Sequence, residues 1–84
     1  MFVAKTLTEV PIYKAFGTSR AAQRWAESDA YREHKAEGSE IYRTVSGLNS
    51  IQAIAAVKMG KAEHMLTVRR RGDGDAGLIE TTLH

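Results

Sequence analysis

The spacing of apolar and polar residues changes several times along this 84-residue chain, and each change marks an element. Phe2 to Leu7, FVAKTL, alternates over a short run rich in strand formers, with Phe2, Ala4 and Thr6 on one side and Val3, Lys5 and Leu7 on the other. It predicts a strand. The next stretch, LTEVPIYKAFG, supports two readings. Either Thr8 caps a short helix with Pro11 in its first turn, where the missing N–H is harmless, or PIYKAF is an edge strand. Ser19 to Lys35 then carries the clearest helical pattern, entered through Thr18 or Ser19 as cap and free of glycine and proline until Gly38. Its apolar side is narrow: Ala22, Trp25 and Ala26 form one patch, which Ala30 extends.

Glu40 to Val45, EIYRTV, alternates again and predicts a strand with Ile41, Arg43 and Val45 on one face. Asn49 or Ser50 caps a second helix, IQAIAAVKMGKAE, where Ile51, Ile54, Ala55 and Lys58 through Met59 follow the 3.6-residue repeat of a core-facing stripe. That stripe is expected to be the hydrophobic centre of the domain. HMLTVRRR, His64 to Arg71, reads as a further strand with a basic second half. At residue 72 the composition shifts to GDGDAG, a turn or the start of a tail. LIETTLH beyond it is either a short last strand or a mobile end. Residues 1–71 are thus expected to form one small α+β domain with two main helices and an antiparallel sheet, and 72–84 a flexible tail or weak terminal strand.

A domain this small is marginal in stability, and a homodimer partner would help it. With no cysteine, neither a disulfide nor a thiolate metal site can compensate. Hydrophobic residues make up 43%, enough to place the chain among globular rather than disordered proteins. MFVAKTL has neither the basic start nor the apolar run of a secretory signal, and no stretch reaches membrane-spanning length, so a cytoplasmic protein with no membrane partner is expected. The net charge is only +2, but the basic residues cluster at Lys58, Lys61, His64 and Arg69, Arg70 and Arg71. Three consecutive arginines on a strand point to both faces, which suits an exposed edge or a contact with phosphate or an acidic protein surface. Little supports catalysis. His34, His64 and His84 stand far apart, and the chain has no glycine-rich phosphate loop and no nucleophile elbow. The expectation is a protein that is not an enzyme and holds no metal or cofactor, with exposed histidines.

Leu7 to Ser28, LTEVPIYKAFGTSRAAQRWAES, resembles the helix-turn-helix of excisionase-type and MerR-like DNA-binding domains. The matching features are Thr8 as a first cap, Phe16-Gly17 at the turn, Ser19-Arg20 opening the second helix and Arg24-Trp25 further along. In that resemblance GSEIYRTV corresponds to the return strand of a wing and LNSIQAIAAV to the helix after it, so that residues 7–57 are covered. It implies a winged helix-turn-helix fold, a role in transcription regulation or as a recombination accessory factor, and duplex DNA as partner. Arg20 and Gln23 would read bases, Ser19 and Arg24 would contact phosphates, and Lys58, Lys61 and Arg69 to Arg71 would add phosphate contacts.

A second reading takes AFGTSRAAQRW as an ordinary loop, cap and amphipathic helix. The order strand, helix, strand, helix, strand then gives a small β-α-β-α-β sandwich with both helices on one sheet face and Trp25 in the core. AAQRWAESDAYREH also looks like the helix of small dimeric ferredoxin-like proteins, where Trp and Tyr pack on the sheet. This architecture implies a protein–protein interaction module. By analogy with small stand-alone proteins of phages and mobile elements, one role for it is inhibition of a host defence complex.

Overall fold

Pro11 and the strand-favouring Ile12, Tyr13 and Phe16 decide the first ambiguous segment. Tyr13–Phe16 forms strand β2, paired antiparallel with β1 (Phe2–Thr6) in a register running from Phe2 opposite Phe16 to Lys5 opposite Tyr13. The residues between them make a tight side-chain-braced turn. The Thr6 and Thr8 hydroxyls share a hydrogen bond of 2.8 Å, Ile12 N donates to Thr6 Oγ1 at 2.8 Å, and Thr8 Oγ1 donates to the Val10 carbonyl at 2.8 Å. Residues 8–16 therefore contain no helix. This corrects the helical reading of that segment and removes the first helix that a helix-turn-helix requires.

The computed structural model describes the backbone of residues 1–71 and 78–83 and the side chains of residues 1–69. After β2 come α1 (Ser19–Arg24), a π-helical segment (Trp25–Asp29) and α2 (Ala30–His34), which form one continuous helical run. Then follow β3 (Gly38–Arg43), α3 (Ser50–Lys58), β4 (Glu63–Arg71) and β5 (Leu78–Leu83). The five strands make one antiparallel sheet in the order β2-β1-β3-β4-β5. The fold is of the α+β class that the sequence predicts. Because β5 pairs along residues 66–71, β4 is an interior strand, and the VRRR segment is not the sheet edge expected of it. Residues 72–77 and His84 lie outside the described residues.

The caps are those of local physics. Thr18 Oγ1 accepts from Ala21 N at 3.1 Å, so the N-cap is Thr18 and Ser19 is the first helical residue. Asn49 and Gln52 form a reciprocal capping box at the start of α3. That helix stops at Lys58, well before Glu63, because Gly60 takes a left-handed φ of 72°. Lys35 closes the first helical run in the same way, at φ 57°.

Strand alternation divides the core in two. Ala4, Ile41, Leu66 and Val68 meet the Ala22, Trp25, Ala26 and Ala30 stripe on one sheet face, with Phe2 and Phe16 packed alongside. Val3 points to the other face and is fully buried there. That face carries α3, which lies against β1 and β2 through the buried Ala53. The two helical units thus sit on opposite faces, and the expectation of both on one face is corrected. The physical reason is that β1 is apolar on both sides, Val3 as well as Ala4, and both sides need cover.

Gly38 is needed by close packing rather than by its dihedral. A Cβ there would lie 3.0 Å from Leu7 Cδ1 and 3.0 Å from the Val68 carbonyl oxygen. The Leu7 side chain can move, but the strand carbonyl cannot without disturbing the ladder, so Gly38→Ala is expected to destabilise the fold by about 1–3 kcal/mol, read as a lower urea midpoint with an unchanged slope. Ser39 behaves oppositely. Its buried hydroxyl has no hydrogen-bond partner, so Ser39→Ala removes a desolvated polar group and is expected to leave the urea midpoint equal or higher.

Candidate interaction surface

The helical run turns its alanine stripe inward, which sends Ser19, Arg20, Gln23 and Arg24 outward together. With Glu27 they line an open depression of ≈ 600 Å³. Arg20 and Arg24 are exposed and four residues apart, one turn along the same helix face. Two guanidinium groups at that spacing suit an anionic partner, whether phosphate or carboxylate. Glu27 adds a carboxylate to the same lining, which opposes a phosphate backbone.

The other residues singled out as nucleic-acid contacts do not join this group. Lys58 is on α3, across the sheet, with its Nζ 5.0 Å from the Tyr13 ring centroid. Lys61 lies beside Arg43, Thr44, Val45 and Glu63 around a separate hollow of ≈ 290 Å³. Arg69 is exposed near the far end of β4, about 20 Å from Glu63 along the strand at ordinary strand rise. Arg70 and Arg71 pair through their backbones with Ile79 and Leu78, and their side chains lie outside the described residues. One straight duplex cannot meet Arg24 and Lys58 at once, because the sheet separates them.

The sequence reading missed a polar cluster on the sheet face that α3 leaves open. Tyr42 Oη donates to Glu40 Oε1 at 2.9 Å, and His64 Nε2 shares a hydrogen bond with Thr67 Oγ1 at 2.9 Å. Glu40 Oε2 lies 3.9 Å from His64 Nε2, and the Tyr42 and His64 rings meet edge to face with centroids 5.4 Å apart. His64 is half-buried, which corrects the expectation of an exposed group, whereas His34 is exposed and stands 6.2 Å from the Trp25 ring. The cluster depends on cross-strand pairing of Tyr42 with His64 past a bulge between Ile41 and Tyr42, and no local spacing in the sequence reports it. Among the described residues no group of three metal-ligating side chains converges. No described helix is long and apolar enough to cross a membrane.

A different surface is the largest departure from expectation. In α3 the sheet-facing positions are Ala53, fully buried, with Ile54, Ala56 and Val57 half-buried. Ile51 and Met59 are 81% and 64% exposed, and Ala55 between them is exposed too. The stripe predicted to be the hydrophobic centre is therefore largely turned to solvent. The helix is apolar nearly all round, so periodicity cannot say which side faces in, and small Ala53 lets the backbone approach β1 more closely than Ile51 would.

Comparison of the chain with protein-family models, curated proteins and solved structures returned no match.

The Tyr42–Glu40 contact has a measurable signature. Burial, the hydrogen bond to Glu40 and the charges of Glu40 and Tyr13 push the Tyr42 phenol from 10.0 up to about 12. The folded state then holds this proton more tightly than the unfolded one. The resulting stability is complete below about pH 10 and is lost as pH rises through about 12. A tyrosinate absorbance titration should show one late-ionising tyrosine, and Tyr42→Phe should remove that step.

Proposed function

We propose that this protein is a small interaction module that docks on another protein. The observation that carries the reading is the apolar stripe that α3 presents to solvent, because large exposed side chains in register on one helix are a recognition surface rather than a scatter of single residues. Three further features support it. Residues 2–6 pair as a strand, Trp25 is buried under the sheet, and residues 13–16 occupy a strand where a DNA reader needs a helix.

A second reading keeps one specific observation. Four of the residues expected to touch DNA, Ser19, Arg20, Gln23 and Arg24, do line one depression. In that reading the chain is a DNA-binding regulator that uses this helix face alone.

Fluorescence anisotropy of a labelled duplex separates the two. The interaction module predicts no saturable duplex binding at low salt. A DNA reader predicts binding whose logarithm falls with the logarithm of salt concentration, with a slope that Arg24→Ala reduces by about 0.9, while Arg20→Ala weakens sequence discrimination by about 1–3 kcal/mol. Both arginines are exposed, so neither change should lower the melting temperature. For the module, a partner identified by affinity capture and mass spectrometry should rebind the purified chain and lose that binding on Ile51→Asp or Met59→Asp.

A further inference from the structure

We infer that the occupant of the α3 stripe is an amphipathic helix of another protein whose apolar face is flanked by carboxylates. The inference rests on the interaction-module reading and adds to it both the site and the chemistry of the partner. Ile51, Ala55 and Met59 fall at i, i+4 and i+8, so they lie in a nearly straight line about 12 Å long on one side of the helix. Ala55 in the middle makes a shallow saddle between two larger side chains. A partner helix crossing it can set one bulky side chain over Ala55 and further ones against Ile51 and Met59.

The charge around the stripe selects the partner. From Ile41 to Ala62 the chain has no aspartate or glutamate, while it has Arg43, Lys58 and Lys61. Arg43 is already paired with Glu63 at 2.9 Å. Lys58 and Lys61 are exposed at the C-terminal end of the stripe, and Lys58 is steadied over the Tyr13 ring. A second copy pairing through its own α3 brings no carboxylate on that helix to meet these ammonium groups, since residues 41–62 contain none. In a parallel pairing like charges would meet, and in an antiparallel one Lys58 would face Ile51 and Gln52. An acidic rim on a different protein satisfies both the apolar line and its cationic end.

The test uses the full chain and two labelled, helix-stabilised peptides that share one leucine stripe, flanked by glutamates in one and by lysines in the other. Anisotropy should show the acidic peptide bound at least about tenfold more tightly than the basic one. Ile51→Gln with Met59→Gln should weaken the acidic peptide by about tenfold or more. Lys58→Glu with Lys61→Glu should reverse the preference. The melting temperature should stay unchanged in the glutamine variant, whose side chains are exposed, and fall only modestly in the charge variant, which gives up the Lys58–Tyr13 contact. Equal affinity for the two peptides, or no reversal by the charge variant, would overturn the inference. So would concentration-dependent dimerisation that Ile51→Gln with Met59→Gln abolishes, since the stripe would then belong to a second copy. Acidic-peptide binding that survives in this variant but is lost in Arg20→Ala with Arg24→Ala would move the site to the first helical run and leave the module reading standing. Binding of a duplex and of neither peptide would end both.

Discussion

The indole of Trp25 is the contact around which this domain is arranged. It is 4% exposed, held between the sheet and the helical run, with Phe16 at 6.0 Å between ring centroids. In a small protein with six aromatic residues this ring supplies a large part of the core, and truncating such a ring costs about 3–5 kcal/mol. Its neighbours are small: Ala4, Ala22, Ala26, Ala30 and Ala36 are all buried in the same cluster. The alanines let the helical run lie close on the sheet, and the indole fills the space that they leave. The π-helical turn begins at Trp25 itself, and Trp25 and Ala26 are both buried within it. Indole Nε1 is buried without a hydrogen-bond partner, so packing rather than polar bonding holds the ring.

Because that face of the sheet is closed by the helical run, the opposite face must find its own cover. Val3 requires α3, and α3 packs chiefly on the β1–β2 side of the sheet. This leaves the Glu40, Tyr42, His64 and Thr67 cluster on the uncovered part, where Tyr42 bonds Glu40 along β3, His64 bonds Thr67 along β4, and the Tyr42 and His64 rings meet across the two strands. The same arrangement puts Arg20 and Arg24 on one side of the sheet and Lys58 on the other. The helix-turn-helix resemblance assigns Arg20, Arg24, Lys58 and Lys61 to one DNA interface, and the sheet separates Arg20 and Arg24 from Lys58.

Two surfaces therefore face outward with different chemistry. The first helical run offers polar and charged groups around an open depression. α3 offers an apolar line ending in lysines. The second is the more unusual for a chain of this size, because exposing Ile51 forgoes burial worth about 1.5–3 kcal/mol. A helix with spare apolar surface is suited to pairing with another helix, and that physical fact underlies the reading of the protein as an interaction module.

Much of the architecture was legible in the residues. The Ala22, Trp25, Ala26 and Ala30 stripe, the caps before both helices and the strands at β1, β3 and β4 follow from spacing and local hydrogen-bonding chemistry, which a linear sequence records directly. Residues 8–16 were divided between helix and strand, and pairing with β1 decided them, because an edge strand gains its hydrogen bonds only from a neighbour remote in sequence. The orientation of α3 was also a tertiary decision. A helix apolar on most sides has several inward faces of similar hydrophobicity, and packing on β1 and β2, with Ala53 buried, chose among them. AFGTSRAAQRW shows the same division. Its cap and helix were determined locally, whereas the partner before its turn, a strand rather than a helix, was set by the sheet.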